Sequence, residues 1–279
     1  MARQDNQHQS TKKAIRFRSN GQCRFFQAKS LFAKCYIGFC LLLGACETIS
    51  VVGKGISTII PWKLEESLGR NSYEKLNQSA FEPTRLSLAR QQSLQRKTRR
   101  MIEIAKLDRK PTLHLHYSEK IGINALAFPG GPIVLTDALV EAMENDDQIM
   151  AVVAHELAHV EERHSMQRMI GILGLAVIAR LVTDKNEGAM IAVAAAIATN
   201  MLTLKHSRAN EKDADLKGLR IMRDYGLDKS ALIGALTALR RASCKDAGKA
   251  EDDCLSEHQN DWFSTHPGFQ QRMAYLRAA

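Results

Sequence analysis

His155-Glu156-Leu157-Ala158-His159 lies inside a long apolar run, and the spacing of its histidines favours one regular backbone. On an α-helix, residues i and i+4 lie one above the other, so the two imidazoles share a face and converge on a common point. Glu156 then sits about 100° round the same turn, close enough to reach a water held by a metal rather than the metal itself. Two neutral nitrogen ligands and a neighbouring carboxylate base are what a zinc ion needs to activate water. Asn145 or Asp146 caps this helix, which is predicted to start at Asp147 or Gln148 and to run to about Arg168.

A third ligand has to come from elsewhere. On an unbroken helix His155 and Glu162 stand about 10 Å apart along the axis, whereas ligand atoms lie within about 2.2 Å of a zinc ion. Glu162 therefore cannot join both histidines, and His164 lies farther along still. Glu162 and Ser165 also occupy the positions where the metzincin pattern carries Gly and His, which excludes that class. Downstream, Glu211 and Asp215 are four residues apart on another predicted helix, Ser207 to Tyr225, ended by Gly226. One face of that helix thus offers a carboxylate ligand and a second carboxylate able to orient a ligand.

The remaining chain reads as mainly helical. Residues 51–79 mix Gly, Pro and polar residues without a sustained period and are expected to form part of a linker. Leu86, Leu94, Met101, Ile102 and Ala105 mark an amphipathic helix closed by Pro111. Leu113, Leu115 and Tyr117 alternate with His114 and His116, which predicts a strand whose histidines face solvent. Ile121 to Leu135 reads as a hairpin around Pro129-Gly130-Gly131-Pro132. Residues 170–182 and 189–204 are apolar but too short to span a bilayer, and they predict a helical hairpin packed on the domain. A further helix is predicted from Asp228 or Ser230 to about Ala242, so the fold class is α+β with a small sheet.

The front of the chain reads as an address. Of the 39 Lys and Arg, eight fall in residues 1–45 with a single acid, which leaves 31 bases against 29 acids in the rest. The basic charge is therefore no nucleic-acid footprint, and no nucleic-acid partner is expected. After Lys34 an uncharged apolar run leads into Leu43-Gly44-Ala45-Cys46, which resembles the lipobox of bacterial lipoproteins. That resemblance implies a signal segment over 1–45, an acyl group on Cys46, a linker over 46–84, a membrane attachment and export to the periplasm. Glu47 follows the cysteine where the enteric retention signal has Asp, which implies sorting to the outer membrane. Cys23, Cys35 and Cys40 leave with the signal, so Cys244 and Cys254 are the two thiols left to form a disulfide in an oxidising compartment.

Several segments then carry a wider resemblance: Asn124-Ala125 with Pro129-Gly130-Gly131, His155 to His159, Ser207 through Glu211, Asp215 and Gly218, and His266-Pro267 with Arg272. In this order they resemble the HtpX and CAAX-prenyl-protease-like zinc metallopeptidase family, in its periplasmic BepA- and LoiP-like lipoprotein branch. The likeness covers roughly 85–279 and implies a gluzincin-type domain with one Zn2+ per chain. It implies His155, His159 and Glu211 as ligands, Asp215 behind them, and Glu156 as the catalytic base. His266 resembles the family's late histidine, which approaches the zinc or stabilises the oxyanion. Asn124, Ala125, Leu126 and Ala127 are implied to form an edge strand that pairs with extended polypeptide substrates. His164, Arg163 and Arg272 read as packing or salt-bridge residues, and His206 carries no signal. The function implied is a membrane-tethered endopeptidase acting on unfolded or misassembled envelope proteins. The alternative is a zinc-binding chaperone or assembly factor with little turnover, working with the envelope assembly machinery.

The lipobox generates the first prediction. Cys46→Ala is expected to yield an unprocessed precursor without acyl label, read by metabolic labelling with a fatty acid and by intact mass. An acylated product of mature size from that variant would refute the assignment.

Overall fold

The computed structural model describes residues 60–184, 187–246, 248 and 262–278. The expected signal segment, Cys46 and Cys254 lie outside them. In chain order the elements are α1 (Trp62–Ala80), β1 (Glu82–Pro83), α2 (Leu88–Ile104), β2 (Thr112–Tyr117), β3 (Ala125–Ala127) and β4 (Pro132–Thr136). There follow α3 (Asp137–Ala142), α4 (Asp146–Glu161), α5 (His164–Leu173), α6 (Leu175–Asp184), α7 (Glu187–Met201), α8 (Arg208–Tyr225), α9 (Ser230–Asp246), α10 (Trp262–Thr265) and α11 (Phe269–Ala278). The chain is mainly helical, as expected, with a four-stranded mixed sheet ordered β1-β2-β4-β3. β2 runs parallel to β4, while β1 and β3 pair antiparallel to their neighbours. The predicted hairpin is β3–β4.

Helix α4 is the centre of the molecule. Every residue from Gln148 to Val160 is buried, because α8, α9, α2 and β3 pack around it. A helix enclosed on all sides needs apolar residues on all faces, which is why this run lacks the polar stripe of a surface helix. Asn145 caps it by accepting from the Gln148 N–H at 3.0 Å. The helix ends earlier than the sequence predicts. Arg163 takes a left-handed backbone, φ 57°, and α5 starts afresh at His164. The cause is tertiary: the Arg163 guanidinium donates to the buried Glu65 carboxylate and to the Ile60 carbonyl, 2.9 Å away, and these contacts hold a conformation that a lone arginine disfavours.

Glu65 belongs to α1, a second departure from expectation. Residues 62–80, read from sequence as part of a linker, form a helix that buries Leu68, Gly69, Ser72 and Leu76. The face is real, but Gly69 and Ser72 interrupt its apolar period and hide it in the sequence. Burial of Ser72 is tolerated because its hydroxyl donates to the Leu68 carbonyl at 2.6 Å. The helix covers β2, so the prediction of solvent-facing histidines is also corrected. Tyr73 hydroxyl lies 2.8 Å from His116 Nε2, the Tyr73 ring sits 4.3 Å from that of His114, and Phe81 stacks on His116. Burial pushes His114 down to about 4, so it is neutral at physiological pH.

The apolar hairpin expected after the motif helix is present as α5–α7. Met166, Met169, Ile170, Ile178, Leu181, Val193 and Ile197 join Leu68 and Leu76 of α1 and Leu126 of β3 in one cluster. The sheet edge at β3 is thereby covered. Among the described residues no helix is long and apolar enough to cross a membrane.

Gly69 tests the docking of α1. A Cβ there would stand 1.6 Å from the Pro129 carbonyl oxygen. In an exposed helix Gly→Ala stabilises by about 0.5–1 kcal/mol. Here Gly69→Ala is expected to destabilise by about 1–3 kcal/mol or more, read as a lower urea midpoint. A raised midpoint would show that α1 does not seat on the β3–β4 turn.

Candidate metal centre

Three elements bring the site together. α4 supplies His155, Glu156 and His159; α8 supplies Glu211 and Asp215; His266 and Arg272 come from the turn before α11 and from α11 itself. α8 can lie close to α4 because Gly218 faces it, where a Cβ would already stand 3.4 Å from the His155 Cα. Ser207 caps α8 through the Asn210 N–H at 3.1 Å and so aims its first turn, with Glu211, at the α4 histidines.

The donor atoms converge. His155 Nε2 and His159 Nε2 are 3.0 Å apart, and His266 Nδ1 lies 3.4 Å from His155 Nε2. Glu211 Oε1 is 3.4 Å from His159 Nε2 and 3.2 Å from His266 Nδ1, and Oε2 is 3.5 Å from His155 Nε2. These four residues form the one group among the described residues whose ligand atoms could hold a metal ion. Donors about 2.0–2.1 Å from a common ion in a tetrahedron stand about 3.3–3.4 Å apart, so the set has the dimensions of a zinc-sized site. Its charge fits too. Glu156, Glu211, Asp215 and Arg272 are all within 2% of complete burial. With the imidazoles neutral, as ligands must be, three carboxylates against one guanidinium leave two negative charges, which a divalent cation cancels.

Neighbours set the tautomers and ionisation. His155 Nδ1 lies 2.9 Å from Asp215 Oδ1, so it donates there and turns Nε2 towards the centre. Burial and the charge of Arg272 push His155 down, but Asp215 and Glu211 outweigh them and raise it to about 9. His159 is held well below its ordinary value by burial, against the pull of Glu211, and is a neutral ligand. Burial pushes Glu211 up, yet the charges of His266 and Arg272 and the hydrogen bonds from His155 and His159 keep it well below the usual carboxylate range. Glu156 is fully buried, and neither carboxylate oxygen has a hydrogen-bond partner. His266 Nε2 lies 3.5 Å from its Oε1.

The structure therefore brings together His155, Glu156, His159, Glu211, Asp215 and His266. It places Ala125, Leu126 and Ala127 on the edge strand, with Asn124 just before it. That edge is buried rather than open, and Ser165 Oγ donates to the Ala127 carbonyl at 2.5 Å. Cys244 is buried on α9, and its expected partner lies outside the described residues. Sequence reasoning underrated three residues. Because α4 ends early, His164 meets His159, Nδ1 to Nδ1, at 2.9 Å. His206, just before α8, stacks on His159 and His266 with ring centroids at 4.1 and 5.1 Å. Arg272, read as a packing or salt-bridge residue, contacts the carboxylates of both Glu211 and Asp215.

A His-Glu-x-x-His helix with a carboxylate donor from a second helix defines the gluzincin class of metallopeptidase domain. Within that class, residues 88–279 match the sequence profile of peptidase family M48, and the chain belongs to this family. It is 29% identical to the beta-barrel assembly-enhancing protease of Escherichia coli K12 over 134 residues, 44% of this chain and 27% of that protein. The chain thus spans about a quarter of the length of that relative. It is 26% identical to the metalloprotease YcaL of the same organism, covering 56% of this chain and 57% of that one. A protease HtpX homolog from Helicobacter pylori J99 is 26% identical over 71% of this chain and 70% of its own length.

The donor geometry generates a direct test. Glu211→Gln is expected to lower metal occupancy of the purified protein by about 10–100-fold in affinity or more, measured by elemental analysis after dialysis. Glu162→Gln, whose partner is Lys217, should retain the metal, and His164→Ala should weaken binding less than Glu211→Gln does. Full occupancy in Glu211→Gln with loss in Glu162→Gln would overturn the donor set.

Proposed function

We propose that the chain is a zinc-dependent endopeptidase, tethered by an acyl group on Cys46 to the periplasmic face of a bacterial outer membrane, that cleaves unfolded or misassembled envelope polypeptides. The observation that carries the reading is the Glu156 carboxylate, buried without a hydrogen-bond partner beside four converging donors. Burying an unpaired carboxylate is costly, and a protein that used this site only for structure would gain by replacing it. His155, His159 and Glu211 would hold the zinc, with Asp215 fixing the ring of His155. When bound, zinc polarises the scissile carbonyl and acidifies water. Glu156 accepts the proton of the attacking water and delivers it to the leaving amine.

His266 carries two roles in this reading. Its Nδ1 completes the donor set, and its Nε2 faces Glu156. A catalytic site keeps one position open, so His266 yields its place when water and substrate enter. An extended peptide adds to the sheet at β3, contributing main-chain hydrogen bonds that do not depend on its sequence. That mode suits unfolded substrates, and the covered edge requires α5–α7 to shift first. The similarity to the beta-barrel assembly-enhancing protease of Escherichia coli and the HtpX homolog of Helicobacter pylori supports a protease, and the first of them supports an envelope role. A disulfide between Cys244 and Cys254 fits the same compartment.

The closed donor set and covered edge favour one second reading, a zinc-binding assembly factor or chaperone with little turnover. Glu156→Gln separates the two. It is expected to retain zinc and to lose activity on an unfolded casein-like substrate by at least about 100-fold. A variant that cleaves at the parental rate would exclude Glu156 as the base. Equal, negligible turnover in parent and variant would favour the assembly factor.

A further inference from the structure

The guanidinium of Arg272 has more contacts than a salt bridge needs. Nε and Nη2 fork onto the two oxygens of Asp215 at 2.8 and 2.6 Å, and Nη1 donates to Glu211 Oε2 at 2.8 Å. Its plane rests against Trp262, with the guanidinium carbon 4.7 Å from the ring centroid. Trp262 in turn stacks on His266 at 4.4 Å and 13°. Tyr275 hydroxyl donates to Asp215 Oδ2 at 2.5 Å. The side chain is 2% exposed, so none of these bonds is shared with bulk water.

These contacts divide the two oxygens of Glu211. Oε2 accepts from Arg272 and stands 3.5 Å from His155 Nε2, whereas Oε1 makes no bond to Arg272 and points between His159 Nε2 and His266 Nδ1. A carboxylate with both oxygens free commonly grips a metal through both. One held by a charge-assisted hydrogen bond at a single oxygen presents the other. We infer that Arg272 is a positioning residue that makes Glu211 a one-oxygen ligand and so keeps the coordination number low enough to admit water. The inference rests on the reading of Glu211 as a metal ligand. It explains why the residue is arginine. A lysine supplies the charge but not the planar fork that meets both oxygens of Asp215 while its third nitrogen meets Glu211.

The test uses full-length protein loaded with cobalt(II), whose visible bands weaken as coordination rises from four to five. Arg272→Lys is expected to bind one cobalt per chain with weakened bands, and to lose kcat by about 10–100-fold with KM little changed. Parental bands and kcat in Arg272→Lys would overturn the proposal. So would a loss in KM alone. Because a buried arginine variant can fold poorly, the same change is also made in a Glu211→His background, where the ligand has no second oxygen to restrain. There Arg272→Lys is expected to leave the spectrum unaltered. Equal spectral shifts in both backgrounds would show that Arg272 acts on the fold rather than on Glu211. The premise is tested separately by Glu211→Gln, since full metal retention there removes the ligand reading itself.

Discussion

Three carboxylates and one guanidinium are buried together where α4, α8 and α11 meet, and the fold is arranged around that charge. Taking an ion from water into a protein interior costs several kcal/mol even after relaxation. Arg272 answers Asp215 and Glu211, Asp215 answers His155, and Tyr275 completes Asp215. Of the three carboxylates, Glu156 alone has no hydrogen-bond partner. The apolar run of α4 follows from the same constraint, since a low-dielectric sleeve keeps these interactions strong and water out.

Closure is the second consequence. His266 fills the fourth donor position, Ser165 caps the Ala127 carbonyl, and α5–α7 bury Leu126. In the proposed function, opening the site for an extended chain would disturb the cluster that also joins α1 to β3. The device that sets this closure is the break at Arg163. By ending α4 there, the Glu65 ion pair turns α5 back across the sheet edge and brings His164 beneath His159. The helix read as a linker is thus coupled to the access of the metal centre.

Legibility in the sequence followed the range of the interactions. His155, Glu156 and His159 were readable because their geometry is internal to one helix. Glu211 and Asp215 were readable as a pair for the same reason, and the Ser207 cap and Gly226 stop were local signals that held. The end of α4 was not readable, because it depends on a partner 98 residues away. α1 was missed because Gly69, chosen for contact with Pro129, and Ser72, satisfied by its own helix, interrupt the pattern that marks a buried face. His206 was missed because a stacked imidazole has no sequence signature. Arg272 gave only its charge; that its charge lies between two carboxylates is a property of the assembled helices.

Stability alone does not account for this cluster. Buried ion pairs can often be replaced by packed apolar groups with no loss of stability, and a set that leaves negative charge uncompensated is worse than a balanced one. The imbalance has meaning once a divalent cation is part of the folded state, because its binding energy then adds to the energy of bringing α8 against α4. Gly218 permits that approach, Ser207 aims it, and Arg272 steadies it, yet none of them cancels the charge that the approach concentrates. Metal, substrate access and helix packing are therefore parts of one equilibrium, in which the same carboxylates that oppose assembly of the bare chain favour assembly around the ion.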